Sequence, residues 1–211
     1  MLAIFKREFK SYFQNVIGWL FVAALLAVYG LYFYVYNLKN GYPYISYDLN
    51  GIGFIMMIAV PILTMRSLSD EKKTKTDQLM LTSPVSVGRI VAGKYFAMAA
   101  VYTIDIALFA LSPLVLSIYG KVALSEAYVA LFGYWLYGLS CIAVGLFISS
   151  ISESVIISAI LTFAALFLSY MMQSITGLIS SSGNLLTKVL NCFDLYTPFE
   201  NFVSGCFSVT S

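Results

Sequence analysis

Side chains capable of catalysis or metal binding are scarce in this sequence. It contains no histidine, which removes the commonest general base and metal ligand and excludes a Ser-His pair. The three cysteines, Cys141, Cys192 and Cys206, are too few and too scattered for a structural zinc site. We therefore predict no catalytic residue, no metal site and no enzymatic activity. Cys192 and Cys206 could pair only in an oxidising compartment, and the sequence leaves that question open.

Asp105 is the only acidic residue well inside a long apolar stretch. A charge at mid-bilayer costs about 2.5–3.5 kcal/mol, so a carboxylate retained there is a functional candidate. Two interpretations stay open: Asp105 faces a translocation pathway, or it stays protonated and bonds to a neighbouring helix. One acid does not supply the pair that an intramembrane aspartyl enzyme needs.

A near match to a nucleotide-binding loop includes Gly88, Gly93 and Lys94. These residues fit the pattern G-x-x-x-x-G-K, but Tyr95 stands where Ser or Thr would bind magnesium. No strand is predicted before it, and an apolar stretch follows. We therefore predict that this chain binds no nucleotide and no other cofactor.

The polar segment 69–94 carries most of the signals for a partner. Thr76 is a fair N-cap, Asp77 suits the positive end of a helix dipole, and Pro84 stops the helix. Leu79 and Leu81 lie near the end of this short predicted helix. They give it enough apolar surface to dock on a partner, but too little to bury it alone.

Composition places these residues in a membrane protein. The chain is 60% hydrophobic and 10% charged, with a mean hydropathy of +0.87, whereas soluble domains carry about 25% charged residues. Apolar runs near the length needed to cross about 30 Å of hydrocarbon predict membrane-spanning helices. We predict an all-α polytopic bundle forming one domain (1–211), with spans at 17–36, 52–68, 95–118, 128–149 and 155–172.

The distribution of lysine and arginine predicts the orientation. With a cytoplasmic N-terminus, nine basic residues lie inside and three outside, as the positive-inside rule favours. No basic cluster has the form of a nucleic-acid-binding patch. The nine are Lys6, Arg7, Lys10, Arg66, Lys72, Lys73, Lys75, Arg89 and Lys94, and the three are Lys39, Lys121 and Lys188.

Two further segments flank the spans. Residues 1–15 alternate aromatic and basic residues at helical spacing, which is typical of an amphipathic helix lying in the membrane interface. Residues 173–211 are too polar to span, so we predict an extracellular segment with short helices packed on the outer face of the bundle. Gly133, Gly138 and Gly145 are predicted to allow close helix packing, and Pro61 and Pro113 to kink their helices.

This order of elements resembles a permease subunit of the ABC type-2 exporter superfamily, whose relatives include drug, polysaccharide and gliding-motility exporters. Members share a basic interfacial helix, a pair of spans and a cytoplasmic coupling helix reading roughly E-x-x-x-x-G-T-x-E-x-L-L-x-S-P-V-S. The family usually has glycine where this chain has Lys75, and often glutamate where it has Gln78. The family fold also implies a sixth span, which the sequence to Ser211 lacks, so a truncated copy is expected.

The resemblance implies a transport subunit rather than an enzyme. A separate ABC ATP-binding subunit would hold ATP and magnesium, a second permease subunit would complete a homo- or heterodimer in the lipid membrane, and no nucleic acid would bind. The alternative is a secondary transporter acting alone, which would need no exposed coupling helix. The residues implied to couple to the ATPase are Glu71, Asp77, Gln78, Leu79, Leu81, Thr82, Ser83, Pro84 and, in a second loop, Glu153.

Overall fold

The computed structural model describes residues 2–75, 86–119, 122–179 and 195–203. Within these ranges every regular element is helical and no strand is present, so the predicted all-α fold is confirmed. The elements are α1 (Leu2–Gln14), α2 (Val16–Phe33) with a π-helical extension (Tyr34–Lys39), α3 (Ser46–Thr64), α4 (Ser69–Lys73), α5 (Val87–Phe109), α6 (Ser112–Tyr119), α7 (Leu124–Ile151), α8 (Val155–Ile179) and α9 (Tyr196–Val203).

Five stretches in the described part of the chain are long and apolar enough to cross a membrane. Each has at least 18 residues in helical form, close to the number that the hydrocarbon core requires. The fold is therefore that of a polytopic membrane protein, as predicted. The stretches are Val16–Lys39, Ser46–Lys73, Val87–Ile118, Leu124–Ile151 and Val155–Met172.

The third span departs from the single helix 95–118 that the sequence suggested. Helix α5 already begins at Val87, inside the segment 69–94 taken as a loop, and it ends at Phe109 before α6 starts at Ser112. Pro113 explains the break, because a proline has no backbone N–H to donate to the carbonyl four residues earlier. The Ser112 hydroxyl donates to the Phe109 carbonyl oxygen instead, at 2.7 Å. Pro61, in contrast, stays inside α3.

Helix α3 forms the centre of the bundle and packs against α2, α7 and α8. Its side chains Leu49, Ile52, Met56, Val60 and Leu63 are fully buried. Phe54 and Ile58 on the same helix are exposed, so α3 is apolar both where it meets other helices and where it faces the membrane. The core therefore runs along the length of α3.

Close helix contacts occur at the predicted glycines. The ring of Tyr102 on α5 lies where a side chain at Gly138 would be, and Thr64 on α3 lies against Gly145. Both glycines are on α7, so they let α5 and α3 approach its backbone. The prediction that these glycines serve packing is confirmed.

Helix α9 covers the end of the bundle remote from α1. Tyr196 and Phe199 are buried, and the Tyr196 hydroxyl donates a 2.6 Å hydrogen bond to Oδ1 of Asn50 at the start of α3. Short helices packed on the outer face of the bundle were predicted for residues 173–211. Helix α9 is a short helix that packs on the bundle, and its extracellular location stays a prediction. Cys192 and Cys206 lie outside the described residues, so their pairing stays open.

Candidate coupling site at the α1 end of the bundle

Four helices meet at one end of the bundle around the polar segment that follows α3. Ion pairs connect α1 to α4 and α5, and hydrogen bonds connect α4 to the last residues of α7. Helix α4 precedes residues 76–85, and α5 begins at Val87 directly after them. The elements on both sides of residues 76–85 are therefore fixed to this end of the bundle.

Lys94 lies at the centre of this site, with only 2% of its side chain exposed. Its ammonium group donates to the Ser67 carbonyl oxygen and to Oε1 of Glu71, both at 2.7 Å. Oε1 of Glu8, from α1, lies 3.7 Å away. Because an unpaired buried ammonium would be strongly disfavoured, these three oxygens are what allow a lysine to lie here.

Arg7 extends the network towards the surface. It pairs with Glu8 at 2.7 Å and lies 4.0 Å from Glu71, but 58% of its side chain is exposed. Exposed pairs of this kind contribute little to stability. Lys94 is thus the cation that determines the geometry, and Arg7 balances the second carboxylate.

Tyr12 fixes α1 to the end of α3. Its hydroxyl lies 3.4 Å from the Leu63 carbonyl oxygen. Burial, with the charge of Glu8 adding to it, raises the pKa of the Tyr12 phenol. The phenol therefore keeps its proton at physiological pH and remains a hydrogen-bond donor.

Ser149, near the end of α7, binds the start of α4. Its hydroxyl accepts from the backbone N–H of Leu68 and of Ser69, each at 3.2 Å, and its carbonyl oxygen accepts from the Ser69 hydroxyl at 3.0 Å. Lys72 donates to the next carbonyl, that of Ser150. Helix α4 has only five residues, too few to be stable alone, so these contacts hold it in place.

The structure describes only some of the predicted coupling residues. Glu71 is in the network, partly buried against Lys94. Glu153 is exposed in the turn between α7 and α8, at the same end of the bundle and next to the residues that bind α4. The rest lie outside the described residues, namely Asp77, Gln78, Leu79, Leu81, Thr82, Ser83 and Pro84.

Lys75 has a left-handed backbone, with φ of 54°. Residues with a Cβ rarely adopt this conformation, and glycine adopts it freely. Members of the family that the sequence resembles usually have glycine at this position. The conformation explains that preference: the chain must make a left-handed turn as it leaves α4.

The resemblance of Gly88–Lys94 to a phosphate loop does not extend to the structure. These residues form the first two turns of α5 and not a loop, so their backbone N–H groups cannot surround a phosphate. Lys94 is buried in its ion pair. In the described part of the chain, no three Cys, Asp or Glu side chains come together around a position for a metal ion.

Asp105 is fully buried in the bundle, and neither carboxylate oxygen has a hydrogen-bond partner among the described residues. It was predicted either to face a pathway or to bond to a neighbouring helix. A buried carboxyl without partners costs stability, which makes Asp105 a position where substitution is informative.

No direct signal in the sequence marks Glu8, Ser69 or Ser149, and Lys94 is predicted only as one of nine cytoplasmic basic residues and as part of a near match to a phosphate loop. Ion pairs between distant segments cannot be read from one sequence, because many lysines and glutamates are compatible with such a pairing. Lys94 directly precedes the span predicted at 95–118, a position where basic residues are common, so its place in the sequence does not reveal a partner.

Residues 32–207 match the family model described as ABC-2 family transporter protein. The matched region runs from the end of α2 through α9. No curated protein and no solved structure is significantly similar to the chain.

Proposed function

This chain belongs to the ABC-2 family of transporter proteins and is an ABC permease, and we propose that it is the membrane subunit of an ATP-driven exporter. A separate ATP-binding subunit hydrolyses ATP and holds the magnesium ion. The chain itself then has no catalytic role. It receives mechanical work at residues 71–84 and at Glu153, and converts it into movement of the spans.

The observation that carries this proposal is an ion pair between the two helices that flank residues 76–85. Glu71 precedes residues 76–85 and Lys94 follows them, yet their charged atoms lie 2.7 Å apart. A displacement of the segment therefore acts on α4 and α5 together. A segment tethered loosely to either helix would instead absorb the displacement in its own backbone.

The same contacts distribute the displacement to other helices. Glu8 links Lys94 to α1, and Ser149 links α4 to α7. The first contact is an ion pair and the second a set of hydrogen bonds, and both are stiff, because each alternative geometry leaves a buried polar or charged group without a partner. Force applied at one segment thus reaches three membrane-associated helices at once.

The remaining parts of the proposal concern the assembly. The N-terminus is cytoplasmic, as the bias of basic residues favours, and α1 lies in the inner interface of the membrane. Two permease subunits, identical or different, form the transporter, and the ATP-binding subunits contact its cytoplasmic side. A secondary transporter acting alone would have no use for a segment anchored in this way.

Association with the ATP-binding subunit tests the proposal. The full chain is co-expressed with the ATP-binding subunit encoded beside it, and the complex is purified through the permease. We expect Leu79→Asp combined with Leu81→Asp to abolish the association, because two buried carboxylates would be desolvated at the contact. The permease alone should hydrolyse no ATP.

Tyr42→Asp is the matched control, since Tyr42 is exposed in the loop between α2 and α3, at the other end of the bundle. This variant should bind the ATP-binding subunit like the unmodified chain. Membrane insertion and monodispersity are compared for all variants. If the double variant inserts normally and still binds with unchanged affinity, the assigned contact is wrong.

A further inference from the structure

A groove of about 540 Å³ opens on the membrane-facing surface between α5 and α7. Small residues of α5 form its floor, and aromatic rings from both helices form its walls. Phe5 of α1 closes it at the α1 end of the bundle. The lining of the groove includes Phe5, Phe96, Ala100, Thr103, Ala107 and Trp135.

The surface that lines the groove consists almost entirely of carbon atoms. The indole N–H of Trp135 donates to Oγ1 of Thr103 at 3.1 Å, and the Thr103 hydroxyl donates to the Ala99 carbonyl at 2.7 Å. The polar side-chain groups of Trp135 and Thr103 are therefore bonded within the protein. A hydrocarbon chain satisfies such a surface, whereas a polar solute would lose hydrogen bonds on entering it.

The length of the groove matches one leaflet of the bilayer. From Phe96 to Ala107 along α5, a rise of 1.5 Å per residue gives about 16 Å. Half of a hydrocarbon core of about 30 Å is about 15 Å. The groove is therefore long enough to hold an extended acyl chain of the leaflet on the α1 side.

Cationic side chains lie where the headgroup of that lipid would be. Arg89 precedes Phe96 by seven residues, or two turns, so it lies on the same face of α5, beyond the end of the groove. Lys6, next to Phe5 in the sequence, and Lys10, one turn further along α1, are exposed. None of these three cations pairs with an acid among the residues that the structure describes.

From these observations we propose that the groove binds one anionic phospholipid, with an acyl chain between α5 and α7 and its phosphate beside Arg89 and Lys6. The shape and the apolar lining of the groove favour an acyl chain, and the cations beside it favour a negatively charged headgroup. A bound lipid would fill the space between α1 and the two spans. The proposal does not depend on ATP coupling and can fail or succeed without it.

Native mass spectrometry of the full chain released from detergent tests the proposal, because it reports bound lipid and oligomeric state together. Delipidated protein is titrated with phosphatidylglycerol, with phosphatidylcholine of the same chains, and with glycerol phosphate. We expect one phosphatidylglycerol per chain, weaker phosphatidylcholine binding and no glycerol phosphate binding. Arg89→Gln should reduce the preference for phosphatidylglycerol about fivefold, as expected for one cation at a membrane surface.

Two variants fill the groove, so that one of them still tests the proposal if the other does not fold. Ala100→Trp and Ala107→Trp each place an indole on the floor, and each should weaken phosphatidylglycerol binding at least about tenfold. Ala164→Trp is the control, since Ala164 is exposed on the membrane-facing side of α8, outside the groove.

Three results would overturn the proposal. Unchanged lipid binding by both groove variants would place the lipid elsewhere. An equal loss in Ala164→Trp would show a general effect of surface indoles. Conversion of a dimer to a monomer by the groove variants, with lipid binding unchanged, would mean that a second copy of the chain occupies the groove.

Discussion

Replacing Lys94 by methionine removes the cation at the centre of the coupling site while preserving the length of the side chain. The ammonium group is buried and lies 2.7 Å from Glu71 and 3.7 Å from Glu8. At 2.7 Å and an effective dielectric constant of about 20, the attraction to Glu71 is about 6 kcal/mol before desolvation. Desolvation of both groups offsets much of this, so the gross value is an upper bound.

The net change in the free energy of unfolding depends on which charged groups each substitution leaves without a partner. Removing one partner of a buried pair costs about 3–5 kcal/mol. For Lys94→Met we expect about 3 kcal/mol, at the lower end, because Glu71 and Glu8 retain 19% and 16% exposure and can be rehydrated. Glu71→Gln should cost about 1–2 kcal/mol, because Lys94 keeps Glu8 and the Ser67 carbonyl.

A double-mutant cycle measures the pair itself. Free energies of unfolding are determined for the full chain in one detergent, for both single variants and for the double variant. The double variant should be about 1–3 kcal/mol more stable than the sum of the single effects predicts. Lys73→Met, at an exposed lysine of α4, should change stability by less than about 0.5 kcal/mol. Additive effects, or a loss below 0.5 kcal/mol for Lys94→Met, would refute this account of the site.

Five further substitutions test the packing, the turn and the buried acid. Gly138→Ala should destabilise the bundle by about 1–3 kcal/mol in thermal unfolding, because its methyl group meets the buried ring of Tyr102. Gly30→Ala should be neutral or stabilising, because no described residue lies within 4 Å of the added methyl group. Lys75→Gly should stabilise the chain by up to about 1 kcal/mol and Lys75→Val should destabilise it, because the left-handed backbone favours glycine and penalises β-branching. Asp105→Leu should raise the free energy of unfolding by about 1–3 kcal/mol, because it removes a buried carboxyl that has no hydrogen-bond partner among the residues the structure describes. Loss of transport in this stabilised variant would assign Asp105 to the pathway, and retained transport would assign it a structural role.

The sequence predicts which segments span the membrane, but it does not predict where each helix begins and ends. Apolar runs of membrane length have few structural solutions, so the five crossings followed from hydropathy alone. The start of α5 was missed because Val87–Lys94 is amphipathic and was read with the polar loop. The break before α6 depends on Pro113 together with the substitute bond from Ser112. A proline predicts a disturbance of the helix but not its form.

The contacts within the coupling site could not be predicted from the sequence. Glu71 was placed at a partner contact through resemblance to a family, and the structure adds a contact to Lys94 that spacing could not predict. Ser149 was the last residue of a predicted span, with no feature to distinguish it from other serines in the apolar helices. Such contacts depend on the relative rotation of helices, which a single sequence does not determine.

The sidedness of residues 70–86 tests the central claim most directly. Single cysteines at Gln78 and, for comparison, at Tyr42 are introduced after Cys141, Cys192 and Cys206 are changed to serine. They are labelled on intact cells with a maleimide that does not cross the membrane, and again after permeabilisation. The account predicts that the cysteine at 78 reacts only after permeabilisation and that the cysteine at 42 reacts on intact cells. Labelling at 78 on intact cells would contradict it, because a segment facing the outside cannot receive work from a cytoplasmic ATPase.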